Sequence, residues 1–120
     1  MASNSMTVNL SDKSALVTGA SSGIGAAVAS ALAANGAMVW VNHPDEATAE
    51  AAEAVVASIV EAGGAAQAIQ ADVSLEADVL KMFATLASKP LDILVNNAGT
   101  AHASPIEAPE VTDFERWMAA

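Results

Sequence analysis

A glycine-rich segment from Thr18 to Gly25 contains the residues best suited to bind a ligand directly. It lies between a short apolar run and a longer helical pattern. A tight turn that leads into a helix leaves backbone N–H groups free at the positive end of the helix dipole. Gly19 and Gly23 would let a pyrophosphate approach the main chain, and Gly25 would let the helix pack closely on the strand. The segment therefore predicts a phosphate-binding turn, and an ordinary strand-to-helix turn is the alternative.

The residues around this segment narrow the kind of ligand. A P-loop requires Gly-Lys-Ser/Thr at the start of the helix, and no lysine lies between Lys13 and Lys81. Asn42 and His43 follow the turn by about twenty residues, where a dinucleotide fold reads the adenosine ribose. The sequence contains no cysteine, which excludes a thiolate metal site, and we expect no metal site of another kind. These features favour a dinucleotide over a nucleoside triphosphate.

Four short β-like runs alternate with helical patterns along the chain. The predicted strands are 14–18, 38–42, 66–71 and 92–96. The predicted helices are 24–35, a second that begins at Pro44 and ends at Gly63, a third capped by Ser74, and a last one after Thr112. Such alternation requires right-handed parallel crossovers, with helices on both faces of the sheet. We therefore predict an α/β fold: the N-terminal half of a Rossmann-type doubly wound parallel sheet, with strand order 3-2-1-4.

Apolar residues at helical spacing predict the faces that the second and third helices bury. The stripe of the second helix consists of Ala52, Val55, Val56, Ile59 and Val60. The stripe of the third helix consists of Val79, Met82, Phe83 and Leu86. Residues 1–12 are polar and irregular, and we expect them to form a loose lead-in.

Three motifs, in order along the chain, resemble those of the short-chain dehydrogenase/reductase family. The glycine segment, Thr18-Gly19-x-x-x-Gly23-Ile24-Gly25, resembles its cofactor fingerprint. Asp72-Val73 resembles its adenine-contacting aspartate, and Asn96-Asn97-Ala98-Gly99 resembles the motif that steadies the sheet and borders the ribose. The match extends from Lys13 to Ala120 and is most similar to the glucose dehydrogenase and 3-oxoacyl-carrier-protein reductase branch.

The resemblance implies that residues 13–120 form the NAD(P)-binding Rossmann portion of an oxidoreductase. Such an enzyme transfers a hydride between nicotinamide and a hydroxyl or carbonyl substrate. The implied cofactor-binding residues are Thr18, Gly19, Ser21, Ser22, Gly23, Ile24, Gly25, Asn42, His43, Asp72, Val73, Asn96, Ala98 and Gly99.

The family's chemistry uses a serine and a Tyr-x-x-x-Lys pair in the second half of its chain, and this sequence has no tyrosine. We therefore expect no catalytic residue here and a chain truncated relative to the family. A fragment, one piece of a split enzyme and a free-standing half-domain all remain open. A non-catalytic dinucleotide-binding module is the alternative function.

Charge and composition indicate the partners. A formal net charge of −10 argues against binding to nucleic acid or an anionic membrane, since both require clustered cations. The expected partners are the dinucleotide and, only if a catalytic half is present, a small-molecule substrate. The absence of cysteine and of an N-terminal signal pattern predicts a cytoplasmic location.

Two finer expectations concern the cofactor and the state of assembly. NAD is favoured over NADP, because Asn42-His43-Pro44 supplies no cation for a 2′-phosphate, and Asp45 and Glu46 would repel it. The apolar run Ile93–Val95 is typical of a strand buried on both faces. An edge of this kind left unpaired predicts self-association.

Overall fold

The computed structural model describes residues 8–99. Within that range, four strands alternate with three α-helices and one 3₁₀ turn. The strands are β1 (Ser14–Val17), β2 (Met38–His43), β3 (Ala65–Gln70) and β4 (Ile93–Val95). The helices are α1 (Gly23–Ala34), α2 (Ala49–Glu61) and α3 (Glu76–Leu86), and the 3₁₀ turn is Glu46–Thr48. The predicted helix after Thr112 lies outside the described residues.

The four strands form one parallel sheet in the order β3-β2-β1-β4. The central strand β1 pairs with both β2 and β4, so that Leu16 lies between Trp40 and Leu94. This confirms the predicted strand order. Because the strands are parallel, their carboxyl ends lie at the same edge, which is where an open α/β sheet binds its ligands.

Side chains of β1 alternate between two apolar clusters, because successive residues of a strand point to opposite faces of a sheet. Ala15 and Val17 belong to the cluster that contains the buried residues of α1 and α2. Leu16 belongs to the other cluster, with Met82 and Leu86 of α3. Helices therefore cover both faces, as predicted. No helix in the described range has the length and apolar character needed to cross a membrane.

Several local expectations differ from the structure. The second helix does not begin at Pro44: Asp45 caps the 3₁₀ turn in a capping box with Thr48, and α2 follows it. The prediction that Ser74 caps α3 is wrong, since Leu75 holds that position and makes no side-chain capping bond. The hydroxyl of Ser74 donates instead to the Asp72 carboxylate, a local bond that competes with helix capping.

Two residues assigned to buried stripes are exposed. Phe83 on α3 is 38% exposed and Val60 on α2 is 54% exposed. The fully buried residues are Ala52 and Ile59 of α2 and Met82 and Leu86 of α3. Val55 and Val56 are partly buried and pack against the same cluster as the buried residues of α2, so the predicted stripe of α2 is wrong only at Val60. Helical spacing alone does not reveal how wide the contact between helix and sheet is.

Residues 8–12 contain no helix or strand but are attached to the end of α1. The backbone N–H of Leu10 donates to the Asn35 carbonyl at 2.8 Å, and the N–H of Val8 donates to Asn35 Oδ1 at 3.1 Å. Leu10 packs against the cluster of α1 and α2. This part of the predicted lead-in is therefore irregular without being loose.

Candidate nucleotide-binding site

The glycine segment occupies the carboxyl edge of the sheet, between the end of β1 and the start of α1. Thr18 continues from β1 and is only 5% exposed. Its Oγ1 accepts hydrogen bonds from the N–H groups of Asn97 and Ala98, each at 3.0 Å, and donates to the Val95 carbonyl at 3.4 Å. One hydroxyl thus joins the start of the glycine turn to the chain that leaves β4.

Asn97 and Gly25 close the turn from its other side. Asn97 Nδ2 donates to the Gly19 carbonyl at 3.1 Å. A Cβ at Gly25 would collide with that same carbonyl and would lie 2.5 Å from Asn97 Nδ2. Only glycine permits this approach of helix to turn. Asn97 is absent from the residues predicted to bind the cofactor, and the structure makes it the side chain that locks the turn.

Asn42 connects the turn to the far side of the sheet. Its side chain is 1% exposed, and Oδ1 accepts from the Gly19 N–H at 3.2 Å. Nδ2 donates to the carbonyls of Ile69 and Ala71 at 3.3 and 3.1 Å. The main-chain carbonyl of Asn42 accepts from the Ala20 N–H at 2.8 Å. The side chain is satisfied entirely by protein groups.

The N-terminus of α1 keeps a row of free donors. Within the described residues, no hydrogen bond engages the backbone N–H of any residue from 21 to 25. The first turn of α1 carries no acidic side chain that would neutralise the helix dipole. Gly23 has φ +58°, and a Cβ there would meet no atom within 4 Å. The turn therefore presents an open, electropositive surface on which an anion would be stabilised.

Asp72 follows β3 at the same edge and is held as an ionised group. Its carboxylate Oδ1 accepts from the Ser74 hydroxyl at 2.6 Å and from the Ser74 N–H at 2.9 Å. These two bonds lower the pKa of Asp72 below its ordinary value, against a smaller opposing effect of burial. Its own N–H donates to Asp78 Oδ2 at 2.9 Å. Asp72 thus offers carboxylate lone pairs next to the half-buried Val73.

His43 ends β2 and is 4% exposed. Its Nδ1 lies 2.9 Å from the Asp45 carbonyl, which can only accept, so this nitrogen carries the proton. The Thr48 hydroxyl lies 3.3 Å from the same atom. The ring is thereby fixed on the 3₁₀ turn that precedes α2.

The structure brings the predicted residues to one edge of the sheet but not into one cluster. Hydrogen bonds join Thr18 to Ala98 and Gly19 to Asn42. Thr18 and Gly19 are consecutive in the turn, so these four residues are connected. Asp72 and Val73 lie beyond β2, and Asn96 and Gly99 lie on the chain that leaves β4. No group of three potential metal ligands occurs within residues 8–99.

Comparison with known proteins identifies the family. Residues 13–120 match the short chain dehydrogenase family. The chain belongs to that family. The chain is 45% identical over 103 residues to the 3-oxoacyl-[acyl-carrier-protein] reductase of a Synechocystis strain. The predicted resemblance to the short-chain dehydrogenase/reductase family is thereby confirmed. That match covers 84% of this chain and 41% of the reductase.

Two further short-chain dehydrogenases can be compared with this chain in length and in fold. The homolog YusS of Bacillus subtilis is 43% identical over 102 residues, covering 83% of this chain and 92% of YusS. A short chain dehydrogenase from Burkholderia cenocepacia, solved in complex with NADP, superposes with a TM-score of 0.84 and 42% identity. This superposition covers 93% of the chain and 46% of the Burkholderia protein. The chain spans less than half the length of most curated relatives it matches.

Proposed function

We propose that this chain is the cofactor-binding portion of an NAD(P)-dependent oxidoreductase. The full reaction would transfer a hydride between nicotinamide and a hydroxyl or carbonyl substrate. The observation that carries the proposal is the row of free N–H groups at residues 21–25, held in place by Thr18 and Asn97. The Burkholderia relative solved with NADP supports a dinucleotide as the ligand.

We place each part of the dinucleotide next to a different segment at the carboxyl edge of the sheet. The pyrophosphate accepts from the N–H groups of Ser21, Ser22, Gly23, Ile24 and Gly25. The adenine lies near Asp72 and Val73, whose carboxylate and N–H can pair with a base edge. The ribose lies near His43 and the Asn96, Ala98 and Gly99 segment. Thr18, Gly19 and Asn42 act by shaping the turn, and a direct contact of Asn42 with the ribose stays a prediction.

NAD over NADP is the proposed preference. The chain between Asn42 and Thr48 contains no lysine or arginine, whereas Asp45 and Glu46 are both exposed there. A 2′-phosphate at this end of β2 would meet two carboxylates and no cation, so it would be repelled. The Burkholderia relative was solved with NADP and so gives no support to a preference for NAD. The proposed preference therefore rests on this loop alone.

Calorimetric titration tests the site with ADP, NAD and NADP. We expect the 120-residue chain to bind all three, with NAD tighter than NADP. Gly23→Ala should weaken all three, because a methyl group would enter the open space above the turn and the positive φ would be strained. Tighter binding of NADP than of NAD would overturn the preference, and no binding of ADP would overturn the site.

Gly63→Ala is the matched control for Gly23→Ala. Gly63 also has a positive φ, +95°, and a methyl group on its Cα would meet no atom within 4 Å. Both substitutions should cost about 1–2 kcal/mol of stability from backbone strain. Only Gly23→Ala should change the dissociation constants. If Gly63→Ala weakens the binding of ADP equally, the lower affinity results from lower protein stability and not from a change in the phosphate turn.

A non-catalytic dinucleotide-binding module is the second candidate function. Its support is one of length: this chain covers 92% of the short-chain dehydrogenase/reductase homolog YusS, so a family member of similar length exists. The two candidates share the cofactor site and differ in whether a catalytic half acts together with it. An assay of the native protein isolated from cells, with NAD or NADP and carbonyl substrates, distinguishes them, because the chain alone should show no turnover in either case. A cytoplasmic location, as predicted from the cysteine-free composition, accords with either candidate.

A further inference from the structure

Asn42 lies on the one strand that separates the two ends of the proposed site. The glycine turn follows β1, whereas Asp72 follows β3, and β2 lies between these strands in the order β3-β2-β1-β4. The turn and the end of β3 therefore have no strand pairing with each other. A residue at the carboxyl end of β2 is placed to contact both.

The Asn42 side chain makes both contacts at once. Oδ1 accepts from Gly19 in the turn, at 3.2 Å, while Nδ2 donates to the carbonyl of Ala71, the residue before Asp72, at 3.1 Å. A second donation to Ile69 and a contact of Nδ2 with Met82 Sδ, at 3.7 Å, fix the amide further. An amide is suited to this role because it both accepts and donates, whereas a carboxylate only accepts.

The same residue also selects which donors of the turn stay free. Its Oδ1 occupies the N–H of Gly19 and its main-chain carbonyl occupies the N–H of Ala20. The N–H groups of residues 21–25 remain, which places the anion against the start of α1 and away from β2. Asn42 thus determines which N–H groups of the turn are available to an anion, as well as the distance between the turn and Asp72.

We propose that Asn42 is a positioning residue that holds the phosphate turn at a set distance from the adenine end. The proposal rests on the proposed function, because it concerns how the two ends of one dinucleotide site are joined. Asn42 acts through Gly19 and Ala71 and need not touch the ligand. When the spacing is right, binding of the adenosine at one end raises the effective concentration of the phosphates at the other.

The test compares ADP with its two parts, adenosine and inorganic pyrophosphate, by NMR titration of the 120-residue chain. Asn42→Asp keeps the size and the acceptor for Gly19 but loses both donations to carbonyls. We expect it to bind ADP on the order of tenfold more weakly and to bind adenosine and pyrophosphate nearly as well as wild type. A lower folded fraction would weaken all three ligands by the same factor.

Asn35→Asp is the control. Asn35 also donates through Nδ2 to a carbonyl, that of Ala31 at 2.8 Å, and accepts at Oδ1 from Val8. It lies at the end of α1, away from the carboxyl edge. The control should bind ADP as wild type does. The proposal would be overturned if both variants weakened the binding of ADP equally. It would also be overturned if Asn42→Asp weakened the binding of all three ligands by the same factor.

Hydrogen exchange in the wild-type chain keeps the proposal testable if Asn42→Asp does not fold. The Gly19 and Ala20 amides should exchange more slowly than those of Ser22 and Gly23, because only the first pair is hydrogen-bonded. Equal exchange at all four would overturn the role of Asn42. Failure of the wild-type chain to bind ADP would overturn the proposed function itself, whatever the exchange rates show.

Discussion

Thr18 illustrates how much a single side chain contributes to the proposed site. Its hydroxyl satisfies the N–H groups of two residues after β4 while donating to a carbonyl of β4 itself. The residue is almost fully buried. Removing this oxygen would leave two part-buried N–H groups without their acceptor, and unsatisfied groups cost more than the net value of the bond.

We expect Thr18→Val to lower the free energy of unfolding by about 1–3 kcal/mol. Thr18→Ser should recover most of the loss, because it restores the hydroxyl. Thr85→Val serves as the control, since the exposed Thr85 hydroxyl donates only to the Lys81 carbonyl of its own helix. Its effect should stay within about 0.5 kcal/mol. Urea denaturation measures all three, and equal effects at both threonines would contradict this account.

Asp72 gives a prediction about pH. Its pKa in the folded chain is lowered from 3.8 mainly by the hydroxyl and N–H of Ser74. A lowered folded pKa means that the contribution to stability is present above the unfolded pKa and is lost as pH falls through the folded value. Ser74→Ala should raise the pKa of Asp72 towards 3.8, because the largest cause of the shift is removed.

Carboxyl NMR titration of Asp72 measures that change. The exposed Ser88 provides the control, and Ser88→Ala should leave the titration of Asp72 unchanged. If Ser74→Ala leaves the pKa of Asp72 where it is in wild type, the hydroxyl is not the main cause of the lowered pKa. The backbone N–H of Ser74 would then have to be the main cause.

At the scale of the elements, β4 is the strand of the sheet best placed to pair with another copy of the chain. It pairs with β1 on one side, and within the described residues no strand pairs with its other side. Leu94 is 47% exposed in the middle of this edge. An apolar edge strand with free backbone groups is a template for pairing with another chain.

We therefore expect the chain to self-associate through β4 at micromolar concentration. Leu94→Lys should shift sedimentation towards the monomer, because a charge on an edge strand opposes pairing. Val60→Lys is the control: Val60 is similarly exposed, at 54%, but lies on α2. A wild-type chain that sediments as a stable monomer would contradict the prediction, as would equal effects of the two lysines.

For the whole molecule, the prediction is cofactor binding without catalysis. In the proposed site, phosphates and adenosine are bound at the described edge of the sheet by the glycine turn, Asp72 and the chain after β4. The family's chemistry uses a Tyr-x-x-x-Lys pair, and this sequence contains no tyrosine. Without a positioned general acid, hydride transfer involving a bound nicotinamide loses on the order of 10²–10⁴ in rate.

Nicotinamide absorbance in the presence of sugars, alcohols and ketones measures turnover of the purified 120-residue chain. We expect no turnover above the protein-free control with either NAD or NADP. Mass spectrometry of the same sample should exclude a contaminating full-length reductase. Turnover in a sample that passes this check would mean that the chain supplies a general acid of another kind.

The order of the elements, the sheet topology and the family all follow from the amino-acid sequence. Glycine spacing, apolar periodicity and alternation of strand with helix are local signals, and the handedness of crossovers turns them into a strand order. The Thr18–Gly25 motif was recognisable for the same reason, because its meaning depends on neighbours within a few residues. Element bounds shifted by a residue or two, and the start of α2 by more, because Asp45 and Thr48 formed a local capping box.

The roles of Asn42 and Asn97, by contrast, depend on the folded arrangement of the strands. Asn42 bonds to residues 23 to 29 positions away, and Asn97 bonds to Gly19, which is 78 positions away. An asparagine at a strand end can face a ligand, solvent or another strand, and the sequence around it is compatible with all three. The choice is made when β1, β2 and β4 come together at one edge, because each buried amide must then pair with whichever main-chain group lies opposite it.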